Sequence, residues 1–307
     1  MGIQYILYNP SAGNGKCREK IVGLENDQTV SVSMEKVTSY RTFFEGLEED
    51  ASVILCGGDG TLNRFINDVR DIEIRVPVYY YAVGSGNDFA RDLGHSAGDL
   101  PDYEIGQYLK NLPEVTVNGK KFLFLNGIGY GIDGYCCQEG DRLREKNAAE
   151  HTDAPINYTA IAIKGLLFHY HPKRAVVTVD GVRHEFKRVW LAPVMHGTYY
   201  GGGMIPTPGQ NRSDPSGTLS VMVFHNCGKL KALMIFPGIF KGEHIRHKKQ
   251  VTVLRGKEIT VEFDRPTPLQ IDGETVLGVT SYTAVSHGQK ASPAGKAEAV
   301  RNARFLK

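Results

Sequence analysis

Along roughly the first 120 residues, apolar positions come in short runs separated by polar loops that carry glycine. "IQYILY" (3–8) reads as a strand, followed by the loop "NPSAGNGK" (9–16) and a helical stretch around "CREKIVGLE" (17–25). "TVSVSM" (29–34) alternates like a strand, "YRTFFEGLEED" (40–50) reads as helix, and "ASVILC" (51–56) as a buried strand. Leu62, Phe65, Ile66 and Val69 fall at i, i+3, i+4 and i+7, which is one apolar face of a helix. "VPVYYYAV" (76–83) is a further strand, and "NDFARDL" (87–93) opens a further helix. Strand, loop and helix in repetition predict an α/β unit with a doubly wound parallel sheet covered on both faces.

After about residue 122 the texture changes to β-rich segments with two helical interruptions, "NYTAIAIKGLLFHY" (157–170) and "KLKALMIFPGIFKGEH" (229–244). Hairpin turns such as "VDGV" (179–182) and "IDGE" (271–274) predict a mainly antiparallel second domain. The expected layout is a parallel-sheet domain at 1–122, a β-rich domain at 123–285, and a loose tail at 286–307 that lacks periodicity.

Composition narrows this little. The chain has 307 residues, 41% of them apolar, enough for one large domain or two ordinary ones. A net charge of +2 names no partner, so any electrostatic preference is local. Five cysteines without a CxxC pair fit a reducing cytoplasm and give no zinc site. The start "MGIQYILYNPSAG" lacks a basic n-region and a cleavage site, and Ile6 stands where a myristoylation signal wants Ser or Thr. The apolar run "ALMIFPGIF" (232–240) is short and holds Pro237, so no segment is expected to span a bilayer.

Candidate chemistry sits in three loops that follow strands: "NPSAGNGK" (9–16), "GGDGT" (57–61) and "GSGND" (84–88). Glycine lets backbone N–H groups face an anion without a Cβ in the way, and a helix opening behind the loop adds its positive end. Each loop alone reads equally as a plain βα turn, and none is a P-loop or a GxGxxG fingerprint. Asp59 is different, because a turn needs no carboxylate between glycines. Beside phosphate a carboxylate is repulsive unless a divalent cation or a transferable proton intervenes.

"NPSAG", "GGDGTLN" and "GSGNDFAR", in that order, resemble the diacylglycerol kinase catalytic domain. That domain is shared by bacterial lipid kinases, sphingosine kinases and ceramide kinases, with NAD kinases and phosphofructokinases more distant. The resemblance continues through "FLNGIGYGIDG" (124–134) and "LQIDGE" (269–274). It implies that the first domain binds ATP, that the β-rich domain binds a lipid, and that the active-site cleft lies between them. On the matching positions, Asn9, Ser11 and Gly13 form the first nucleotide loop. Gly57, Gly58, Gly60 and Thr61 form the phosphate loop, and Ser85, Gly86 and Asn87 the third. Asp59 and Asp88 match acidic residues of a Mg2+ and water network. Asp88 also suits a helix N-cap.

Glu274 matches the family's general base. Read without the resemblance, "QIDGETV" is a hairpin with a surface glutamate. Asp59 competes with Glu274 for the role. A hydroxyl attacking the γ-phosphate benefits from a carboxylate within hydrogen-bond reach, and a base from the second domain would be brought in by closure. Two stretches depart from the family. Glu114 lies in "EVTVNGKKF", where relatives often carry Asp. In "SDPSGTLSV", Asp214 is displaced from Gly217, where relatives often show Asp-Asp-Gly. His196, in "MHGTYYGGGM", reads as a loop histidine, because no second metal ligand lies at a usual spacing.

A lipid acceptor implies contact with a membrane surface, and so a cytoplasmic, peripherally membrane-associated protein. "HYHPKR" (169–174) and "FKGEHIRHKKQ" (240–250) concentrate positive charge, each Lys or Arg adding about 1 kcal/mol near an anionic surface. "ALMIFPGIF" could insert shallowly, or could be a buried helix before a solvated basic loop. Nucleic acid is not expected as a partner, and a homodimer is possible, as in relatives. The expectation is an ATP- and Mg2+-dependent kinase acting on a lipid hydroxyl such as that of diacylglycerol. The alternatives are an NAD kinase-like enzyme, although no Asn-Glu dipeptide occurs, and a non-catalytic lipid or nucleotide sensor on the same fold.

Overall fold

Four parallel strands form the first sheet: β1 (Gln4–Tyr8), β2 (Thr29–Ser33), β3 (Ser52–Gly57) and β4 (Val78–Ala82), in the order β2-β1-β3-β4. These come from a computed structural model that describes residues 2–286 apart from 14, 151, 153 and 155. Successive residues of β1 and β3 point to opposite faces. Leu7 and Leu55 pack with α3 (below) and β4, whereas Ile6, Ile54 and Cys56 pack with Cys17 and Ile21. Both faces are therefore covered, as the short apolar runs predict. The strand order reverses direction between β1 and β3, and the crevice at such a switch point is where open α/β sheets bind ligands.

The helices are α1 (Cys17–Ile21), α2 (Tyr40–Glu45), α3 (Asp59–Asp68), α4 (Asp88–Asp92) and α5 (Gly106–Leu109). Leu62, Phe65 and Ile66 form the buried face of α3, with Val69 at its C-terminus also buried. The helix expected over 40–50 stops at Glu45, with Gly46 as its C-cap.

The second sheet has ten strands. They are β5 (Glu114–Val117), β6 (Lys120–Leu123), β7 (Gly127–Tyr130), β8 (Lys173–Val179), β9 (Val182–Val189), β10 (Val194–Met195), β11 (Leu219–Phe224), β12 (Val251–Gly256), β13 (Glu258–Ile271) and β14 (Glu274–Val285). Its antiparallel order is β12-β11-β10-β7-β13-β14-β5-β6, with β8 attached to β13 and β9 to β8. β13 changes neighbour along its length. Ile259–Phe263 pair with β8, and Leu269–Ile271 pair with β7. The ladder to β14 shifts register between Glu262 and Thr267. That bend folds the sheet over one core, in which Tyr130 stacks on Phe263 at 4.0 Å.

The sequence reading ends the first domain at 122, but strand pairing divides the chain after Pro113. β5 and β6 pair with each other, and β5 pairs with β14, placing Val117 opposite Tyr282. An alternating strand carries no mark of which sheet it joins, because its partner lies far away in sequence.

Among the described residues the second domain holds three helices, not two: α6 (Ile132–Ala149), α7 (Tyr158–Lys164) and α8 (Lys229–Ile235). α6 is the one the sequence reading missed. It meets β13 through Gly134, where a Cβ would collide with the Pro268 carbonyl, and it meets Tyr158 through Gly140. A helix packed through glycine carries no apolar stripe to read. A π turn (Gly165–His169) continues α7, and 3-10 turns continue α8. Among the described residues no helix is long and apolar enough to cross a membrane. The tail read over 286–307 lies outside the described residues beyond Ser286.

Candidate functional site

The carboxyl ends of β1, β3 and β4 carry the three glycine loops, and the loops hold one another. Asn9 accepts from the Ser11 N–H at 3.0 Å and donates to Thr61 Oγ1 at 2.9 Å, tying the first loop to the second. Gly13 has φ 61°, and a Cβ there would press on the Val83 carbonyl. Lys20, one turn along α1, donates to that same carbonyl at 3.2 Å and lines the cleft. A Cβ at Gly57 would collide with Thr61, and Gly58 and Gly84 meet backbone to backbone.

Asp59 opens α3, yet its carboxylate serves α4. It accepts from the backbone N–H of Asp88 at 3.0 Å and of Phe89 at 2.9 Å, and from Asn126 Nδ2 at 3.3 Å. Asn87, at φ 50°, turns its amide back to the Gly84 carbonyl, so the N-terminus of α4 is capped from a neighbouring helix. Asp88 takes the N–H of Gly202 on one oxygen, at 2.8 Å. Its other oxygen is buried and has no donor among the described residues, and neither has Asn87 Oδ1. Burial, and then the charge of Asp59, push the Asp88 carboxyl up to about 6. Both carboxylates converge on Gly86, where a Cβ would lie 3.3 Å from Asp59 Oδ2 and 3.7 Å from Asp88 Oδ2. No third His, Cys, Asp or Glu among the described residues completes a protein-only metal cluster with them.

The opposite wall is the β13–β14 hairpin. Asp272 (φ 46°) and Gly273 (φ 97°) make its turn. The Asp272 carboxylate accepts from the N–H groups of Leu125, Asn126 and Gly127, at 2.6, 2.8 and 2.9 Å, and from Asn63 Nδ2 at 2.8 Å. This knot fixes the hairpin to α3 and carries Glu274 over the second glycine loop. A Cβ at Gly60 would lie 3.4 Å from Glu274 Oε1. Glu274 itself is exposed.

Behind this wall, Arg212 and Asp92 form a buried ion pair at 2.5 Å. Arg212 also donates to Asn126 Oδ1 at 2.7 Å and lies over the Phe89 ring. That bond orients the Asn126 amide so that its nitrogen faces Asp59. His196 is half-buried beside this pair, with Nδ1 donating to the Leu125 carbonyl at 2.8 Å. Burial, and then the Arg212 charge, lower its pKa to about 4, so it stands as a neutral packing group. Glu114 pairs with Arg70 and Lys121, and Asp214 caps its own turn through the Ser216 N–H.

A cleft of about 780 Å³ joins these walls. Asn9, Gly13, Gly58, Asp59, Gly60, Thr61, Ser85, Gly86, Asp88 and Glu274 line it. Ser11, Gly57 and Asn87 do not line it, but shape the loops from behind. The far half is walled by α6, α7 and the turn after α8, with Ile132, Ala162, Met204, Phe236 and Phe240. Asp133 stands at that end and accepts from Tyr200 Oη at 3.3 Å. Burial pushes its carboxyl up to about 7. Gly129 makes room for it, since a Cβ there would overlap the carboxylate. The sequence reading singled out none of Lys20, Asn126, Asp133, Arg212 or Asp272 as site residues. Asn126 and Asp133 lie in "FLNGIGYGIDG", part of the resemblance but without a role assigned, and the local signal at Asp272 named a turn.

Comparison with known proteins agrees with this geometry. Residues 4–115 match the family model described as the diacylglycerol kinase catalytic domain. Residues 130–291, more than half of the chain, match the YegS C-terminal NAD kinase beta sandwich-like domain. The chain belongs to the family of the YegS C-terminal NAD kinase beta sandwich-like domain, and its first part matches a diacylglycerol kinase catalytic domain. Bacillus subtilis YtlR, classed provisionally as a lipid kinase, is 27% identical over 252 residues, covering 76% of this chain and 77% of that protein. A Bacillus subtilis diacylglycerol kinase is 22% identical over 285 residues, covering 88% of each. The fold is shared with the crystal structure of a Bacillus anthracis protein named a diacylglycerol kinase. The TM-score is 0.59 at 19% identity, covering 95% of this chain and 97% of that one. Yeast NADH kinase, at TM-score 0.42 and 10% identity, is too remote to bear on function.

Proposed function

We propose that the chain is an ATP:lipid phosphotransferase that uses Mg2+ and moves the γ-phosphoryl group to the hydroxyl of diacylglycerol, giving phosphatidic acid. The observation that carries this reading is the meeting of Glu274 with Gly60 across a cleft that is polar at the glycine loops and carries an apolar patch, Ile132, Ala162, Met204, Phe236 and Phe240, in its far half. The loop N–H groups, the N-terminus of α3 and Lys20 suit the phosphates of ATP. Asp59 and Asp88 suit Mg2+, because that ion takes one or two carboxylates and completes its shell with phosphate oxygens and water. The donorless Asp88 oxygen fits such an ion. Bound there, Mg2+ would neutralise charge on the phosphate oxygens.

Of the two candidate bases, Glu274 is favoured. Asp59 already accepts three N–H groups, two of them backbone, whereas Glu274 is exposed above the phosphate loop. Glu274 takes the proton from the acceptor hydroxyl, Asp59 holds the N-terminus of α4 and would hold the ion when it is bound, and Asn126 steadies Asp59. The apolar end of the cleft takes the acyl chains and excludes water. The protein then works at the cytoplasmic face of a membrane.

The test is Mg2+-dependent transfer of labelled γ-phosphate from ATP to a lipid panel in mixed micelles, with NAD in a parallel tube. Labelled diacylglycerol, lost in Glu274→Gln and in Asp59→Asn, supports the reading. Labelled NAD, or labelling that survives both substitutions, sinks it.

A further inference from the structure

Two elements at the far end of the cleft, α8 and the π turn after α7, carry apolar side chains on both their inner and outer sides. α8 turns Ala232 and Ile235 inward, joined by Ile239 of the next turn. Its outer face carries Leu230 and Met234, each 75% exposed and four residues apart, so they stand side by side. Next to α8, the π turn after α7 exposes Phe168 at 67%. The two elements touch and are tied by Lys229, whose Nζ donates to the Leu167 carbonyl at 2.7 Å. The segment after α8 carries Phe240, which is part exposed and part of the cleft lining, so the apolar strip reaches the cleft mouth.

A helix on a water-facing surface normally turns polar residues outward. Single exposed apolar side chains are ordinary, but a group of them on adjoining elements marks an interaction surface. Charge selects the partner. Lys164 precedes Phe168, Lys229 and Lys231 flank Leu230, and Lys241 follows Phe240. Between 229 and 249, six Lys or Arg residues face one Glu. Shallow apolar side chains ringed by basic ones match the interface of an anionic lipid layer, with stems in the acyl boundary and charges among the headgroups.

We infer that the face made by α8 and the π turn after α7 docks on an anionic bilayer. Leu230, Met234 and Phe168 enter the acyl boundary, and Lys164, Lys231 and Lys241 meet the headgroups. The cleft mouth at Phe240 then opens onto the membrane, so that an acceptor passes from bilayer to cleft without crossing water. This inference rests on the lipid-acceptor reading above and adds where, and on which lipid charge, the protein docks.

Flotation of the full chain with two kinds of vesicle tests it: phosphatidylcholine alone, and phosphatidylcholine mixed with phosphatidylglycerol. The wild type is expected to float with the anionic vesicles and only weakly with the neutral ones. Leu230→Ser with Met234→Ser, and separately Lys164→Glu with Lys231→Glu, are expected to lower partitioning about tenfold or more. All four positions are exposed, so thermal melting should match the wild type. Both double variants should keep wild-type turnover of a short-chain, dispersed diacylglycerol and lose turnover of the same lipid in anionic vesicles. Glu274→Gln should float like the wild type. Flotation that persists when no lipid is phosphorylated supports docking while sinking the kinase reading. Equal flotation of variants and wild type overturns the inference. So does a dimer that the apolar double variant dissociates, with no vesicle binding by either form.

Discussion

Asn63 on α3 donates to Asp272 on the β13–β14 hairpin at 2.8 Å, and this bond joins the helix behind the second glycine loop to the opposite wall of the cleft. The same carboxylate takes three consecutive backbone N–H groups at 125–127, where the chain enters β7. Asp272→Ala strands those donors in a buried place. We expect a loss of about 3 kcal/mol in urea unfolding, since a charged hydrogen bond contributes ~1.5–3 kcal/mol and unpaired groups add to the cost. Activity should fall together with stability, because Glu274 loses its support. A variant as stable as the wild type would show that the knot is not structural.

Glu274→Gln separates chemistry from folding. The side chain is exposed, so melting should not move. Turnover should fall by about two to four orders of magnitude, the usual contribution of a general base, with the KM for ATP little changed. Turnover within a few-fold of the wild type would hand the role of base to Asp59.

Asp88 gives a pH dependence with a definite sign. Its carboxyl stands at about 6 because of burial and the Asp59 charge. A protonated Asp88 cannot serve a cation, so Mg2+ affinity, read by titration calorimetry in the presence of ATP, should rise as pH climbs through that value. Asp88→Asn should flatten the curve at the low end. Mg2+ binding independent of pH across this range contradicts the assignment.

Asp133 makes a separate, thermodynamic prediction. Its carboxyl stands at about 7 in the folded chain, above the ordinary value of 3.8. Between those two values the folded state holds a proton that the unfolded state has lost. Stability from this group is therefore present below the lower value and declines as pH rises to the upper one. The decline is on the order of 4 kcal/mol if the shift is fully expressed. Unfolding of the wild type and of Asp133→Asn at about pH 5 and about pH 8 checks this, because the variant should lack the decline. Parallel curves for the two proteins would place the titration elsewhere.

The buried Arg212–Asp92 pair predicts a non-additive cycle. Arg212→Ala leaves Asp92 charged and unpaired, and should cost about 3–5 kcal/mol. Adding Asp92→Ala should recover part of that loss. Because Arg212 also orients Asn126 toward Asp59, Asn126→Ala should lower kcat while leaving stability closer to the wild type. Additive losses in the cycle would remove the coupling.

Much of the first domain was legible in the chain itself. Short apolar runs such as "ASVILC" name buried parallel strands, and the 62, 65, 66 and 69 spacing names the inner face of α3, because side-chain periodicity is a local property. The three glycine loops could be placed after their strands for the same reason. β5 could be read as a strand but not assigned to its sheet, since its partner β14 lies at the other end of the chain. α6 could not be read at all, because its contacts run through glycine.

The site divides in the same way. Sequence marked the three glycine loops and the carboxylates Asp59, Asp88 and Glu274 as candidates, and the structure gathers them around one cleft. Tertiary structure alone decided that Asp59 caps α4, that Asp272 is a four-donor knot and not merely a turn, and that Arg212, Asn126 and Asp59 form one chain of contacts. Each of these depends on side chains brought together from distant segments and at least partly withdrawn from water. Burial there sets both the cost of an unpaired charge and the proton affinity of a carboxyl, and no local window of sequence carries that information.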